Sequence, residues 1–326
     1  MPDDTATLAA RAEAGDVRAL AALGRMLVTG EGAPATIDDM QQGGAYLRDA
    51  MQKGDAEAPA VLAMMAALGM LQPRDLGAAM TLLQTAAARG WAPAQDQLQV
   101  LAGRAPAPSS ARLSERPRIR VIEGFATPAE CAWLIARARD HLERAEVYQG
   151  STDLEVSEVR TNTEAYLTPK LLDVVSAVVL QRAAAVLGLD MAMFEFATVL
   201  HYQAGQLFGP HDDFFDPEIP SQRAEIVARG QRIATFLLYL NDDYDGGETA
   251  FLDVGLKYKG RQGDAMFFVN VEPSGRADVL TRHQGSAPTR GEKWVLSQWV
   301  RSSPINTYLT PGAERAELPE TWLRDV

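Results

Sequence analysis

The sequence predicts an α+β chain in two parts: an N-terminal array of α-helices, then a β-rich domain with helices at its front. Three observations carry this. Residues 1–102 are crowded with Ala, Leu, Met and Gln, which are good helix formers. A Gly/Ala/Leu pattern recurs there with a period that suits stacked helical hairpins. From Arg118 onward, short apolar runs are separated by Gly, Pro, Asn and Asp clusters, as in a sandwich or barrel. The 326 residues, 47% hydrophobic and 23% charged, are enough for about two such domains.

The acidic start, Met1-Pro2-Asp3-Asp4, has no apolar segment behind it, so a signal peptide is not expected and the expected location is cytoplasmic. The apolar stretch from Ala58 to Leu71 is too short to span a bilayer and reads as a buried helix, so no membrane partner is expected. The recurring triplets are Gly15/Ala19/Leu23, Gly54/Ala58/Leu62 and Gly90/Ala94/Leu98, offset by 39 and 36 residues. Gly ends one helix in a left-handed cap, Ala lets the next helix approach closely, and Leu fills the seam. This spacing resembles the Sel-like, tetratricopeptide-like repeats. The resemblance implies a surface that docks a protein or peptide; the alternative is a helical packing domain without a partner. Residues 103–117, rich in Pro, Ser and Gly, are expected to be a linker.

The second domain is expected over 118–326. Arg118 to Ile122 alternates like an edge strand. Thr127-Pro128-Ala129-Glu130 starts a helix, with Thr as N-cap and Glu at the third position, expected to run to about Arg144. A second helix is expected from about Pro169 to Leu187. Strands are expected at Glu195–Gln203, Arg232–Leu240, Asp264–Val269, Asp278–His283 and Lys293–Arg301.

The net charge is −12, from 43 acids against 31 bases, which disfavours binding to a nucleic-acid backbone. One cysteine, Cys131, excludes an internal disulfide and a Cys-based metal site, and reads as a small buried hydrophobe. Four histidines remain. His141 and His201 read as structural. His211-Asp212-Asp213 contains His-x-Asp, and on a strand the first and third residues share a face. Asp212 or Asp216 replaces Asp213 if the register slips. With His283, expected at the end of a late strand, the set is two His and one carboxylate. That is the facial triad of non-haem Fe(II) oxygenases, which leaves three metal positions open. Lys293 follows ten residues after His283, across a Gly/Pro turn, and is expected on the neighbouring strand. Alternation puts Lys293, Val295, Ser297 and Trp299 on one face, so the ammonium faces inward and needs an anion; the alternative is a solvated strand-end charge. Trp294 and Trp299 read as core. The long connection 214–231 beside the metal site is a candidate lid.

Five ordered stretches make the resemblance specific: Val159–Asn162, Tyr202–Asp213, Gly230–Asn241, Gly246–Phe251 and His283–Trp299. Residues 118–301 resemble the 2-oxoglutarate/Fe(II) dioxygenases of the prolyl 4-hydroxylase type. The resemblance implies a double-stranded β-helix, a distorted jelly roll. It implies that His211, Asp213 and His283 hold Fe(II), and that Lys293 and Tyr239 bind the distal carboxylate of 2-oxoglutarate. Tyr202 and Thr249 then line the co-substrate pocket, and Arg160 lies near the substrate mouth. The resemblance further implies O2 as the second co-substrate, ascorbate as reductant, and release of succinate and CO2. Asn162 stands where the family usually has Ser, and Phe208 where Tyr is common. The implied reaction is hydroxylation of a prolyl or other side chain in a protein or peptide, with the repeats helping to dock it. The alternatives are a hydroxylase of a free amino acid or small metabolite, a repeat-based adaptor with an inactive β domain, and a nucleic-acid demethylase. The acidic balance argues against the last.

Overall fold

The computed structural model describes residues 5–31, 34–103, 109–148, 154–156, 159–306, 308–309, 319 and 321–322. The chain divides into two compact units. One holds residues 1–103, 168–182 and 307–314; the other holds 104–167, 183–306 and 315–326. No helix among the described residues is long and apolar enough to cross a membrane.

Among the described residues up to 103, the first unit contains α1 (Thr5–Glu13), α2 (Val17–Thr29), α3 (Ile37–Gln52), α4 (Ala58–Leu68), α5 (Leu76–Ala88) and α6 (Ala92–Leu101). Local caps set their starts. Asp16 accepts from the Arg18 and Ala19 amides, Thr36 and Asp39 form a reciprocal capping box, and Asp75 accepts from the Ala78 amide. Gly15, Gly54 and Gly90 precede α2, α4 and α6 with φ of +89°, +94° and +87°, and the Ala four positions after each is buried. A Cβ at Gly24 of α2 would lie 2.8 Å from the Gly43 carbonyl oxygen, so these glycines are what let α2 and α3 touch backbone to backbone.

The second unit opens on strands β1 (Ser109–Ser114) and β2 (Ile119–Glu123), then α7 (Pro128–Arg139). Three short strands and a fourth follow: β3 (Glu143–Arg144), β4 (Glu146–Tyr148), β5 (Leu154–Val156) and β6 (Thr163–Tyr166). Most of α8 (Val174–Leu187) belongs to the first unit; the second resumes at Ala183 and continues with β7 (Thr198–Tyr202), β8 (Phe208–His211), α9 (Pro220–Arg229) and β9 (Arg232–Tyr239). The last strands are β10 (Asp245–Gly246), β11 (Thr249–Phe251), β12 (Leu256–Tyr258), β13 (Ala265–Val269), β14 (His283–Gly285), β15 (Pro288–Arg290) and β16 (Lys293–Arg301). An eight-stranded sheet has the order β1-β2-β13-β9-β16-β7-β6-β3, and a four-stranded sheet the order β12-β11-β14-β8. Both are antiparallel throughout. The core lies between them, where Ile119, Val121, Leu237, Met266, Phe268 and Val295 of the large sheet meet Phe251 of the small one.

Several expectations need correction. Ser109–Ser114, expected within a linker, pairs with β2 as the edge of the large sheet. Helix α7 starts on its predicted Thr127/Glu130 box but ends at Arg139, because Glu143 and Arg144 pair with β6 instead. Helix α8 begins at Val174, not Pro169: Asp173 and Ser176 cap it, the Asp173 amide donating to Ser176 Oγ at 2.8 Å and the Ser176 amide to Asp173 Oδ1 at 2.9 Å. Asp278–His283 is not a strand. Asp278 accepts from the Leu280 amide and its carbonyl accepts from Thr281, winding a 3₁₀ turn over Val279–Thr281, so His283 starts a strand rather than ending one.

Candidate metal centre

The small sheet brings the two histidines together. His283 pairs directly with His211 across β14 and β8, and their rings lie 4.3 Å apart. Asp213 follows β8 in a bend, and its carboxylate turns back between them: Oδ1 is 3.6 Å from His211 Nε2, and Oδ2 is 3.7 Å from His283 Nε2. One ligand atom from each of the three lies within 4.8 Å of the others, the only such group of three among the described residues; Asp212 and Asp216 stand outside it.

Each imidazole is oriented for this. His211 Nδ1 lies 2.8 Å from the Gly209 carbonyl oxygen and His283 Nδ1 lies 3.0 Å from that of Thr281. A carbonyl only accepts, so both Nδ1 atoms carry a proton and both Nε2 atoms face the centre. Burial, reinforced by His283, pushes the His211 imidazole down to about 3, so it is neutral at physiological pH. Burial alone raises the Asp213 carboxyl, but His283, His211 and the Thr235 hydroxyl outweigh it and hold the group below the usual carboxylate range. Two imidazoles and a carboxylate converging on one point suit a divalent first-row cation such as Fe(II).

Lys293 is the second fixed point. It is only 2% exposed, and no hydrogen bond or ion pair satisfies its ammonium among the described residues. Burial lowers it from 10.5 to about 8 against the pull of Glu248. As predicted, Lys293, Val295, Ser297 and Trp299 share one face, and all four line an inner cavity together with His211, Asp213 and His283. Lys293 is not on the strand next to His283, however. Strand β16 lies in the large sheet between β9 and β7, so Lys293 approaches the cavity from the opposite sheet. A buried unpaired ammonium at one end and an open-sided triad at the other fit a dianion that chelates a metal through its other end.

Tyr202 and Thr249 line the same cavity. A side chain at Gly285 would meet the Tyr202 hydroxyl at 3.1 Å, which explains Gly there. Tyr239 is not in the cavity wall; its hydroxyl lies 2.9 Å from Thr249 Oγ1 and holds that residue in place. Arg160 lies outside this cavity, in the wall of an outer one of about 350 Å³. There it is paired with Glu164, and its guanidinium sits 4.3 Å over the Phe208 ring, which stacks on His211 at 3.5 Å and 6°. His211, Asp213, Phe208 and Trp299 line both cavities, so the triad stands where they meet.

The structure adds residues that the sequence pattern did not single out. Trp299, expected in the core, forms cavity wall with the Arg232 guanidinium 3.7 Å over its ring. Glu195 binds Arg232 at 2.7 and 2.9 Å and Arg301 at 2.5 Å beneath the outer cavity. The connection 214–231 contains α9, which contributes Gln222, Glu225 and Arg229 to that wall. His201 stacks on Trp294 at 4.2 Å on the opposite face of the sheet, away from the centre.

Residues 197–301 match the family model of the 2OG-Fe(II) oxygenase superfamily. Over 232 residues the chain is 30% identical to the probable prolyl 4-hydroxylase 4 of Arabidopsis thaliana, covering 64% of this chain and 76% of that protein. It is 33% identical over 205 residues to prolyl 4-hydroxylase 1 of the same plant, covering 58% and 70%. Among solved structures, a viral collagen prolyl hydroxylase from Paramecium Bursaria Chlorella virus-1 aligns with a TM-score of 0.43 at 25% identity, covering 56% of this chain and 95% of that one.

Proposed function

Since the chain belongs to the prolyl 4-hydroxylase family of the 2OG-Fe(II) oxygenases, we propose that it hydroxylates prolyl side chains of a protein or peptide. The family is a dioxygenase family working with Fe(II), 2-oxoglutarate and O2. When bound, the metal couples decarboxylation of 2-oxoglutarate to succinate with insertion of one oxygen atom into a substrate C–H bond.

In this reading His211, Asp213 and His283 hold the Fe(II). Lys293 binds the distal carboxylate of 2-oxoglutarate, and Tyr202 and Thr249 shape its pocket, with Tyr239 fixing Thr249. The outer cavity takes the prolyl residue: Tyr166, Phe196, Phe208, Phe214, Phe215 and Trp299 give it an aromatic lining suited to a rigid apolar ring, and Arg160 stands at the metal side. The two cavities meeting at the triad support a single line from co-substrate to substrate. The β unit is the distorted jelly roll of such enzymes. Residues 1–102 are tetratricopeptide-like repeats that help dock the polypeptide, supported by the three left-handed glycines each followed by a buried Ala.

The observation that carries this reading is the unpaired, buried Lys293 facing the triad along one cavity. Its test is succinate formation from 2-oxoglutarate with Fe(II), with and without proline-rich peptides, alongside His211→Ala. The expected result is peptide-stimulated turnover leaving one added oxygen on proline, absent from the variant. Stimulation only by free amino acids would replace the peptide substrate with a small one.

A further inference from the structure

Behind the triad lies a buried polar chain that the metal ligands do not account for. Thr235 interrupts the apolar run of β9 and is 1% exposed; Asn270, just after β13, is fully buried. Thr235 Oγ1 lies 2.6 Å from Asp213 Oδ2, and Asn270 Nδ2 lies 3.0 Å from Thr235 Oγ1.

The direction of this chain follows from its donors. Asn270 Nδ2 is an amide nitrogen and only donates, so the Thr235 oxygen accepts from it and the one Thr235 hydroxyl proton goes to Asp213 Oδ2. Turned this way, the Asn270 amide leaves its Oδ1 without a hydrogen-bond partner. A buried amide oxygen without a partner is costly. Asn270 thus holds an orientation that serves its neighbour at its own expense. A Val at 235 has the shape of Thr without the proton, and the surrounding strand is apolar, so packing alone does not call for the hydroxyl.

The geometry points to Thr235 and Asn270 as positioning residues for the metal: Asn270 locks the Thr235 hydroxyl as a donor, and Thr235 retains Asp213 Oδ2 so that Oδ1 is the metal-facing oxygen. One-oxygen ligation by Asp213 keeps the positions needed by a bidentate co-substrate open. The inference rests on reading His211, Asp213 and His283 as metal ligands.

The test is the Mn(II) dissociation constant of the full chain, measured without 2-oxoglutarate from the free-ion EPR signal, with far-UV circular dichroism confirming each variant's fold. Thr235→Val is expected to weaken Mn(II) about 10- to 100-fold, the range for loss of a partner behind a metal ligand. Thr235→Ser restores the hydroxyl and is expected to recover most of the affinity. Asn270→Ala weakens binding in the wild-type background, but adds nothing in the Thr235→Val background, because its effect passes through that hydroxyl. Unchanged affinity in Thr235→Val, failure of Thr235→Ser to recover it, or additive losses in the double variant would overturn the relay. Asp213→Ala separates the two claims: it abolishes Mn(II) binding if the triad is the metal site, and unchanged Mn(II) binding in it would overturn the ligand assignment itself.

Discussion

Lys293 and Tyr202 are direct partners across the β16–β7 ladder, and the Lys293 ammonium lies 5.0 Å from the centre of the Tyr202 ring. The aromatic face offers this charge partial compensation, weaker than a hydrogen-bonded carboxylate would give. In the folded chain the ammonium is held at about 8, against 10.5 in the unfolded chain, so between those values the folded state binds fewer protons and stability rises with pH. Lys293→Met is therefore expected to be more stable than wild type at pH 8 and below, by an amount on the order of a few kcal/mol. The gap closes as pH rises toward 10.5. Denaturant unfolding of both proteins at pH 7, 8, 9 and 10 measures it; parallel curves would contradict the buried unpaired charge.

The same substitution is expected to cripple co-substrate use. Losing a charge-assisted hydrogen bond of about 1.5–3 kcal/mol corresponds to a roughly 10- to 100-fold rise in KM for 2-oxoglutarate. Metal affinity stays near wild type, because Lys293 does not touch the triad. In wild type, 2-oxoglutarate binding is expected to weaken as pH rises above about 8 and the ammonium loses its proton.

Arg160 lies over Phe208, which stacks on His211. Arg160→Lys keeps the charge but loses the planar group that covers the ring. It is expected to lower kcat/KM for the peptide about tenfold or more while leaving KM for 2-oxoglutarate unchanged. Steady-state kinetics with each substrate varied in turn separates the two.

Glu195 joins Arg232 and Arg301, and Arg301 is 1% exposed. Although burial opposes ionisation, the two guanidinium groups hold the Glu195 carboxyl below the usual range. Its folded value is lowered, so its stabilisation is present above the unfolded value and lost as pH falls through the folded one. Glu195→Ala removes the carboxylate that Arg232 and Arg301 share, leaving Arg301 its bond to Glu225, and is expected to cost about 3 kcal/mol of stability at neutral pH. Denaturant unfolding checks it; a change within about 0.5 kcal/mol would contradict the pairing.

In the helical unit, Gly24→Ala places a Cβ 2.8 Å from both the Gly43 carbonyl oxygen and Leu47 Cγ. A loss of about 1–3 kcal/mol is expected from forcing α2 and α3 apart. The triad and its Mn(II) affinity are expected to be unaffected, which calorimetry and metal titration together establish.

Strand periodicity made part of the site legible: alternation from Lys293 to Trp299 put one face of β16 in the cavity. His211 and Asp213 come together by another route, since β8 ends at His211 and Asp213 turns back in a bend. What escaped depended on which strands face each other. Lys293 stands ten residues after His283 but on the opposite sheet, a relationship of topology that a Gly/Pro turn does not encode. Thr235 and Asn270 escaped because a lone polar residue in an apolar run has no meaning until its partner, 35 residues away, is known. The strand at Ser109–Ser114 escaped because its exposed, polar sequence pairs only through its backbone. The Asp278 turn escaped because its two-residue Asx contact looks like strand alternation.

A crystal grown with Mn(II) and 2-oxoglutarate, with the metal located by its anomalous scattering, is the most direct test. The expected result is one manganese ion bound by His211 Nε2, Asp213 Oδ1 and His283 Nε2, with the distal carboxylate of 2-oxoglutarate on the Lys293 ammonium. A manganese ion elsewhere, or a 2-oxoglutarate whose far end leaves Lys293 untouched, would contradict it.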